Sequence, residues 1–205
     1  MAIATLIRAA LAASPIVPVM TVRDIDAAVS TAEALIRGGL TNLEVTLRTP
    51  EALDAISALR AAFPEAVIGA GTITEPQHVQ AAADAGAQFL VSPGVNARLV
   101  PALLESGLPA MPGVATVSEA MSRADEGFEI VKLFPAQAVG GVKLLKSISA
   151  PLPHLTFMPT GGITAETAGD FLALENVIAV GGSWMLGGPD IFSAALAASK
   201  IKDQT

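Results

Sequence analysis

Phe128-Glu129-Ile130-Val131-Lys132-Leu133-Phe134-Pro135-Ala136 is an apolar run with one lysine near its centre. A strand wet on one face alternates apolar and polar residues. A run this continuous reads as a strand covered on both faces, the habit of parallel sheets clothed by helices. The stretch therefore predicts an α/β protein. It also singles out Lys132, which alone among the chain's five lysines has apolar residues on both sides over several positions. A buried ammonium is costly unless it is paired or neutralised. A neutral amine, in turn, is a nucleophile that condenses with a carbonyl to form a Schiff base. The other reading is an edge-strand lysine whose stem lies along apolar surface while its head reaches water.

Working outward, the pattern repeats. Strands are expected at 16–20, 42–48, 67–72, 88–93, 108–113, within 128–136, at 156–162 and at 177–183, their starts 20 to 28 residues apart. Helices fill the intervals. Thr21 to Asp24 has N-cap spacing for a helix to about Arg37, stopped by Gly38-Gly39. Thr49-Pro50-Glu51 offers a cap and then proline at the first helical position, and Pro64 closes that helix. Further helices are expected at 75–85, at 96–106 with Asn96 as cap, from the capping box Thr116-Val117-Ser118-Glu119, and at 139–149, 165–174 and 190–200. A short amphipathic helix at 2–13 stands in front. Eight βα units with an extra N-terminal helix fit a (β/α)8 TIM barrel near its lower size limit. The competing open doubly wound sheet lacks its glycine-rich dinucleotide fingerprint after the first strand. No linker or low-complexity segment interrupts the chain, so residues 1–205 are expected to form one domain.

Composition narrows the function. The chain is 52% hydrophobic and only 15% charged, which suits a packed enzyme and not a disordered chain. Without cysteine it has neither disulfides nor thiolate metal sites. Its two histidines, His78 and His154, are far apart in sequence, so no metal centre is expected. A net charge of −7 argues against nucleic acid as partner but not against an anionic small molecule, which local dipoles and one or two cations can hold. No apolar run approaches a membrane span. Ala12-Ala13-Ser14 only faintly echoes a signal-peptide cleavage site, and a cytoplasmic protein is expected.

The strand at 42–48 alternates clearly. Leu43, Val45 and Leu47 share one face; Glu44, Thr46 and Arg48 share the other. In a parallel barrel neither face is free, so a Glu and an Arg pointing inward need a reason. One is a structural ion pair between them. The other is chemistry at the C-terminal strand ends. If Ile130, Lys132 and Phe134 also face inward, an amine, a carboxylate and a guanidinium share one cavity. Lys132 can attack a ketone, Glu44 can move protons, and Arg48 can clamp a carboxylate with two parallel hydrogen bonds. Thr72, ending Gly69-Ala70-Gly71-Thr72, can join that clamp or serve as a helix cap or turn residue. Two glycine pairs, Gly161-Gly162 and Gly181-Gly182, follow the last two strands. Barrels often hold phosphate there, with Ser183 adding a hydroxyl.

Taken together, the residues resemble the 2-keto-3-deoxy-6-phosphogluconate (KDPG) aldolase family, class I aldolases of the Entner–Doudoroff pathway. The matching segments are Pro15-Ile16-Val17-Pro18-Val19, Leu43-Glu44-Val45-Thr46-Leu47-Arg48-Thr49, Gly69-Ala70-Gly71-Thr72, Ser92-Pro93-Gly94, Lys132-Leu133-Phe134-Pro135-Ala136, Gly140-Gly141-Val142-Lys143, Pro159-Thr160-Gly161-Gly162-Ile163 and Gly181-Gly182-Ser183-Trp184. They run in order over nearly the whole chain. The resemblance implies that Lys132 is the Schiff-base lysine and Glu44 the proton-transfer group. It implies that Arg48 and Thr72 hold the pyruvyl carboxylate, that Pro93, Phe134 and Thr160 line or flank the pyruvyl pocket, and that Gly161, Gly162, Gly182 and Ser183 form the phosphate site. It further implies a homotrimer, no metal and no cofactor beyond the covalent imine, with phosphorylated keto acid and pyruvate as ligands and 4-hydroxy-2-oxoglutarate as a further substrate. Gln137 departs from the glutamate often found after Phe-Pro-Ala in the family. The rival readings are a sugar-phosphate sensor, which needs no buried lysine, a metal-dependent barrel enzyme, which needs clustered ligands, and a trimeric scaffold, which needs no inward charges.

Overall fold

The structure, a computed structural model, describes residues 2–201; Met1 and residues 202–205, the ends of the expected single-domain span, lie outside the described residues. Its elements are α1 (Ala2–Ala13), β1 (Ile16–Met20), α2 (Ile25–Arg37), β2 (Asn42–Thr46), α3 (Ala52–Ala62), β3 (Val67–Gly71), α4 (Pro76–Asp84), β4 (Leu90–Val91), α5 (Leu99–Glu105), β5 (Ala110–Met111), β6 (Gly113–Val114), α6 (Val117–Asp125), β7 (Ile130–Leu133), α7 (Gly141–Ser149), β8 (Thr156–Pro159), α8 (Ala165–Leu172), β9 (Val180–Gly182) and α9 (Ile191–Ser199), with one 3-10 turn at Trp184–Leu186. Strands alternate with helices, as the periodicity predicts. The strands form a curled, wholly parallel sheet in two ladders, β5-β4-β3-β2-β1-β9 and β6-β7-β8.

The expected strand at 108–113 is two strands, because Pro112 sits in its middle and brings no N–H to the ladder. The Pro112 carbonyl still accepts from the Lys132 N–H at 2.9 Å. Next to it, the Gly113 N–H turns to the Ser92 hydroxyl at 3.2 Å. Where β8 meets the β9 segment, pairing shrinks to two parallel bridges, Phe157 with Val177 and Thr160 with Gly181.

Side chains alternate between two cores. On the convex side, Leu43, Val45, Ile68, Ala70, Val131, Leu133 and Phe157 pack against the helices through Leu35, Ile56, Leu59 and their neighbours. On the concave side lie Val17, Phe89, Val91, Met111, Ile130, Met158 and Ala179, joined by Ile7 and Leu11 of α1. These two residues are one helical turn apart and stack on one face of α1. The helix thus closes the end of the sheet where the strands begin. Asn42 fixes it there, its amide donating to the carbonyls of Ala10 and Ser14 at 2.8 Å each.

Most helix starts follow the sequence signals. Asp24 accepts from the Ala27 N–H at 2.8 Å, and Asp190 from the Ser193 N–H at 2.9 Å. Two do not. α5 begins at Leu99 behind Arg98, and Asn96 instead accepts from the Arg98 and Leu99 N–H groups at 3.0 and 3.1 Å in the turn before it. Nor is Thr49 a cap. Its hydroxyl donates to the Val22 carbonyl, and α3 begins only at Ala52, after a cap residue, Glu51, whose side chain makes no capping bond. The β1–α2 loop outcompetes the helix end for that hydroxyl, and Pro50 falls before the helix.

The expected capping box is present. Thr116 accepts from the Glu119 N–H at 3.2 Å, while the Glu119 carboxylate accepts from the N–H groups of Ala115 at 2.7 Å and Thr116 at 2.9 Å. Thr116→Ala is expected to lower stability by about 1 kcal/mol, read by urea melts. The Ala115 N–H, aided by Thr116, holds the Glu119 carboxyl below the usual carboxylate range. A lowered folded-state value means the carboxylate stabilises above the ordinary value of 4.5 and loses that effect as pH falls through the depressed one. Glu119→Gln is therefore expected to be less stable than the parent near pH 7, with the gap closing on acidification. A gap that widens in acid would refute this.

Candidate active site

Glu44 on β2 and Lys132 on β7 come from different ladders of the sheet, yet their side chains meet across its concave side. Lys132 Nζ lies 3.4 Å from Glu44 Oε1, and the two side chains are 5% and 1% exposed. β7 runs between β6 and β8, so Lys132 is not an edge residue snorkelling to water. The alternation on β2 placed Glu44 inward, and the pair sits above the apolar concave cluster. Such burial is costly for two charges and leaves their attraction little screened. Among the described residues Glu44 Oε2 has no hydrogen-bond partner. A carboxylate oxygen unused by the fold is available to move a proton.

The Phe134 ring lies over the amine, its centroid 5.2 Å from Lys132 Nζ, and the Phe134–Pro135 peptide is cis. Gly113 pairs with Lys132 across the β6–β7 ladder. A Cβ built on Gly113 would stand 2.2 Å from the Pro93 carbonyl carbon and oxygen, so the bare glycine is what lets Pro93 approach. Thr160, just past β8, is buried, and its hydroxyl has no partner among the described residues. A Cβ on Gly181 would meet that hydroxyl at 2.3 Å.

Arg48 departs from expectation. It does not share the buried face with Glu44, and the Glu44–Arg48 ion pair considered above is not formed; the partner of Glu44 is Lys132. β2 ends at Thr46, and the Arg48 N–H bonds back to the Thr46 carbonyl at 2.8 Å. That turn breaks the alternation and leaves Arg48 exposed at the mouth. There its Nε donates to the Thr72 hydroxyl at 3.0 Å. Thr72 has φ +60°, the sole positive φ outside glycine among the described residues. Holding a β-branched residue there costs on the order of 1–3 kcal/mol, the sort of strain that collects at ligand sites. The cap reading for Thr72 fails, since α4 starts at Pro76 behind Glu75.

The glycine loops lie side by side through the Thr160–Gly181 bridge. Gly161 and Gly162 take φ +103° and +76°, and Gly161 rests on Phe134 and Pro135 while Gly162 faces Gln137. Gly182 lies against the Trp184 ring, and Ser183 is exposed beside it. The structure thus brings Glu44, Lys132 and Phe134 into direct contact and joins Arg48 to Thr72 just past the ends of β2 and β3. Sequence reasoning missed Gly71 and Gly113, whose missing side chains make room for Glu44 and Pro93, and read Gly181 only as half of a phosphate-loop pair, whereas its bare backbone makes room for Thr160. The signal was there: glycine inside a strand marks a close approach. It also missed the mouth pair Thr21 and Thr46, whose hydroxyls are 3.0 Å apart. Among the described residues no three His, Asp or Glu side chains are grouped as a metal site requires, and no helix is long and apolar enough to cross a membrane.

The sequence profile of KDPG and KHG aldolase matches residues 7–198. The KHG/KDPG aldolase of Escherichia coli is 47% identical over 176 residues, which cover 86% of this chain and 83% of that protein. The KDPG aldolase of Legionella pneumophila, solved with pyruvate captured at low pH as a covalent carbinolamine intermediate, is similar with a TM-score of 0.87 and 41% identity, covering 96% of each chain. The 2-keto-3-deoxy-6-phosphogluconate aldolase of Zymomonas mobilis ZM4, solved with 3-phosphoglycerate, gives a TM-score of 0.90 and 40% identity, again covering 96% of each chain. By sequence profile, by identity over most of the chain and by fold, this chain belongs to the KDPG and KHG aldolase family.

Proposed function

We propose that the chain is a class I aldolase that cleaves 2-dehydro-3-deoxy-6-phosphogluconate to pyruvate and glyceraldehyde 3-phosphate through an imine on Lys132, and that it also accepts 4-hydroxy-2-oxoglutarate. The reading is carried by one observation: the Lys132 amine and Glu44 carboxylate, both buried, lie 3.4 Å apart. The names of the relatives support it.

The amine adds to the C2 ketone to give a carbinolamine, and loss of water gives the protonated imine. Glu44, directly or through a water, takes the C4 hydroxyl proton. The C3–C4 electron pair moves into the imine, and glyceraldehyde 3-phosphate leaves. Protonation of the enamine at C3 and hydrolysis of the imine release pyruvate and the free lysine. The imine is the electron sink, so no metal or further cofactor is needed. Arg48 and Thr72 hold the carboxylate end, with Pro93, Phe134 and Thr160 shaping the pyruvyl pocket. Gly161, Gly162, Gly182 and Ser183 hold the phosphate end through backbone N–H groups and a hydroxyl. Gripping both ends supplies orientation.

The same reading takes the curled sheet as a closed (β/α)8 barrel, its seams being the break at Pro112 and the bridges at Phe157 and Thr160, with α1 as the extra helix across its lower mouth. It takes 1–205 as one domain, assembled as a homotrimer in the cytoplasm, a state implied by the family resemblance. The test is borohydride trapping with pyruvate, followed by intact mass and peptide mapping. A reduced pyruvyl adduct on Lys132 is the expected result. A folded sample that takes up no pyruvate, or takes it up elsewhere, would sink the imine reading.

A further inference from the structure

We infer that Gly71 is a positioning residue for the proposed reaction: the bare backbone of β3 at this point is the seat on which the Glu44 carboxylate rests within reach of Lys132. The inference deepens the reading given under Proposed function and rests on it.

Glu44 Oε2 has no partner among the described residues, and the hydrogen bond found at Oε1 is the one from Lys132 itself. No other hydrogen bond therefore sets where the carboxylate points; space sets it. β3 is the strand beside β2, with Thr46 in register with Gly71 and Glu44 with Gly69. Ile68 and Ala70 pack outward into the helix-side core, so Gly69 and Gly71 present their empty positions to the concave side. A Cβ built on Gly71 would stand 2.0 Å from Glu44 Oε1, 2.6 Å from its Cδ and 2.7 Å from its Cγ. The oxygen it would strike first is the one that meets Lys132. A methyl group there leaves the carboxyl nowhere to stay, and it must swing by about 1 Å or more to reach ordinary contact distance.

The backbone does not demand glycine. Gly71 is the last residue of a regular strand and is not among the positive-φ positions, so alanine fits the main chain and loses less entropy on folding. What alanine removes is room for one functional group. A misplacement of this size lowers rate by about 100-fold without touching the groups that bind substrate.

The experiment is steady-state kinetics of Gly71→Ala in two backgrounds. In the parent, kcat is expected to fall about 100-fold with KM for the phosphorylated keto acid nearly unchanged. In Glu44→Gln, where the side chain no longer moves protons, adding Gly71→Ala is expected to change kcat by less than about threefold. A general loosening of the sheet would lower both backgrounds equally, and that result would overturn the inference, as would full activity in a folded Gly71→Ala. Should Gly71→Ala not fold, Glu44→Ala/Gly71→Ala removes the struck carboxyl and is expected to melt like Glu44→Ala; if it too fails to fold, the clash lies elsewhere and the inference is wrong. Trapping of the parent with pyruvate separates the layers: an adduct on Lys132 with a normal Gly71→Ala rate sinks this inference alone, whereas no adduct sinks the imine reading beneath it.

Discussion

Lys132→Arg is expected to fold and to lose turnover of 2-dehydro-3-deoxy-6-phosphogluconate by about 10⁴-fold or more. Arginine keeps a positive charge beside Glu44, so the buried carboxylate is not left uncompensated, a loss that would otherwise destabilise by about 3–5 kcal/mol. What it cannot do is shed a proton to become a nucleophile, because the guanidinium stays charged at any pH a protein survives. The variant therefore separates charge from nucleophilicity at one position. Pyruvate with borohydride should leave its mass unchanged, and its melting temperature should stay near that of the parent. Turnover in the purified variant well above about 10⁻⁴ of the parental rate would mean that the bond-breaking step does not pass through an imine on this lysine.

Glu44→Gln is expected to slow kcat by about 10³-fold, within the range of 10² to 10⁴ typical of positioned proton-transfer groups. The amide matches the carboxylate in shape and still offers an oxygen to Lys132, so the concave packing survives. It cannot accept the C4 hydroxyl proton, nor return one during carbinolamine dehydration. Pyruvate trapping should thus persist but slow, which distinguishes this variant from Lys132→Arg. Combining the two should be no worse than Lys132→Arg alone, since groups that serve one step lose activity together, not additively. A Glu44→Gln enzyme at parental rate would take Glu44 out of the proton path.

The fold was legible where one local rule acted alone. The parallel sheet followed from the apolar continuity around Lys132 and the recurrence of strand and helix signals. Glu44 was placed correctly because Leu43 and Val45, both fully buried, tie their faces to the helix-side core. Arg48 was misjudged because alternation holds only while the strand lasts, and β2 stops two residues earlier in a turn closed by the Thr46 carbonyl. Thr49 was read as a cap because capping is a local signal, while its real partner, the Val22 carbonyl, comes from a loop 27 residues away. Gly71 and Gly113, as glycines inside strands, mark a close approach without saying of what. Their significance lies in what crosses above them, and that appears only once the strands are side by side.

Asn42 gives the two ends of the sheet a shared fate. It stands two residues before Glu44 on the same face of β2, and its amide holds the carbonyls of Ala10, in the last turn of α1, and of Ser14, just past it. The helix in turn supplies Ile7 and Leu11 to the apolar cluster beneath the lysine and glutamate. Unhooking α1 would open a leak from below: water admitted there reaches the underside of the charge pair. On passing from an effective dielectric of about 20 to that of bulk water, near 80, the attraction between two unit charges drops about fourfold. On the proposed reading, a segment at the far end from the mouth thus keeps the Lys132 amine and Glu44 carboxylate dry, and a lesion confined to α1 would be felt as lost chemistry as well as lost stability.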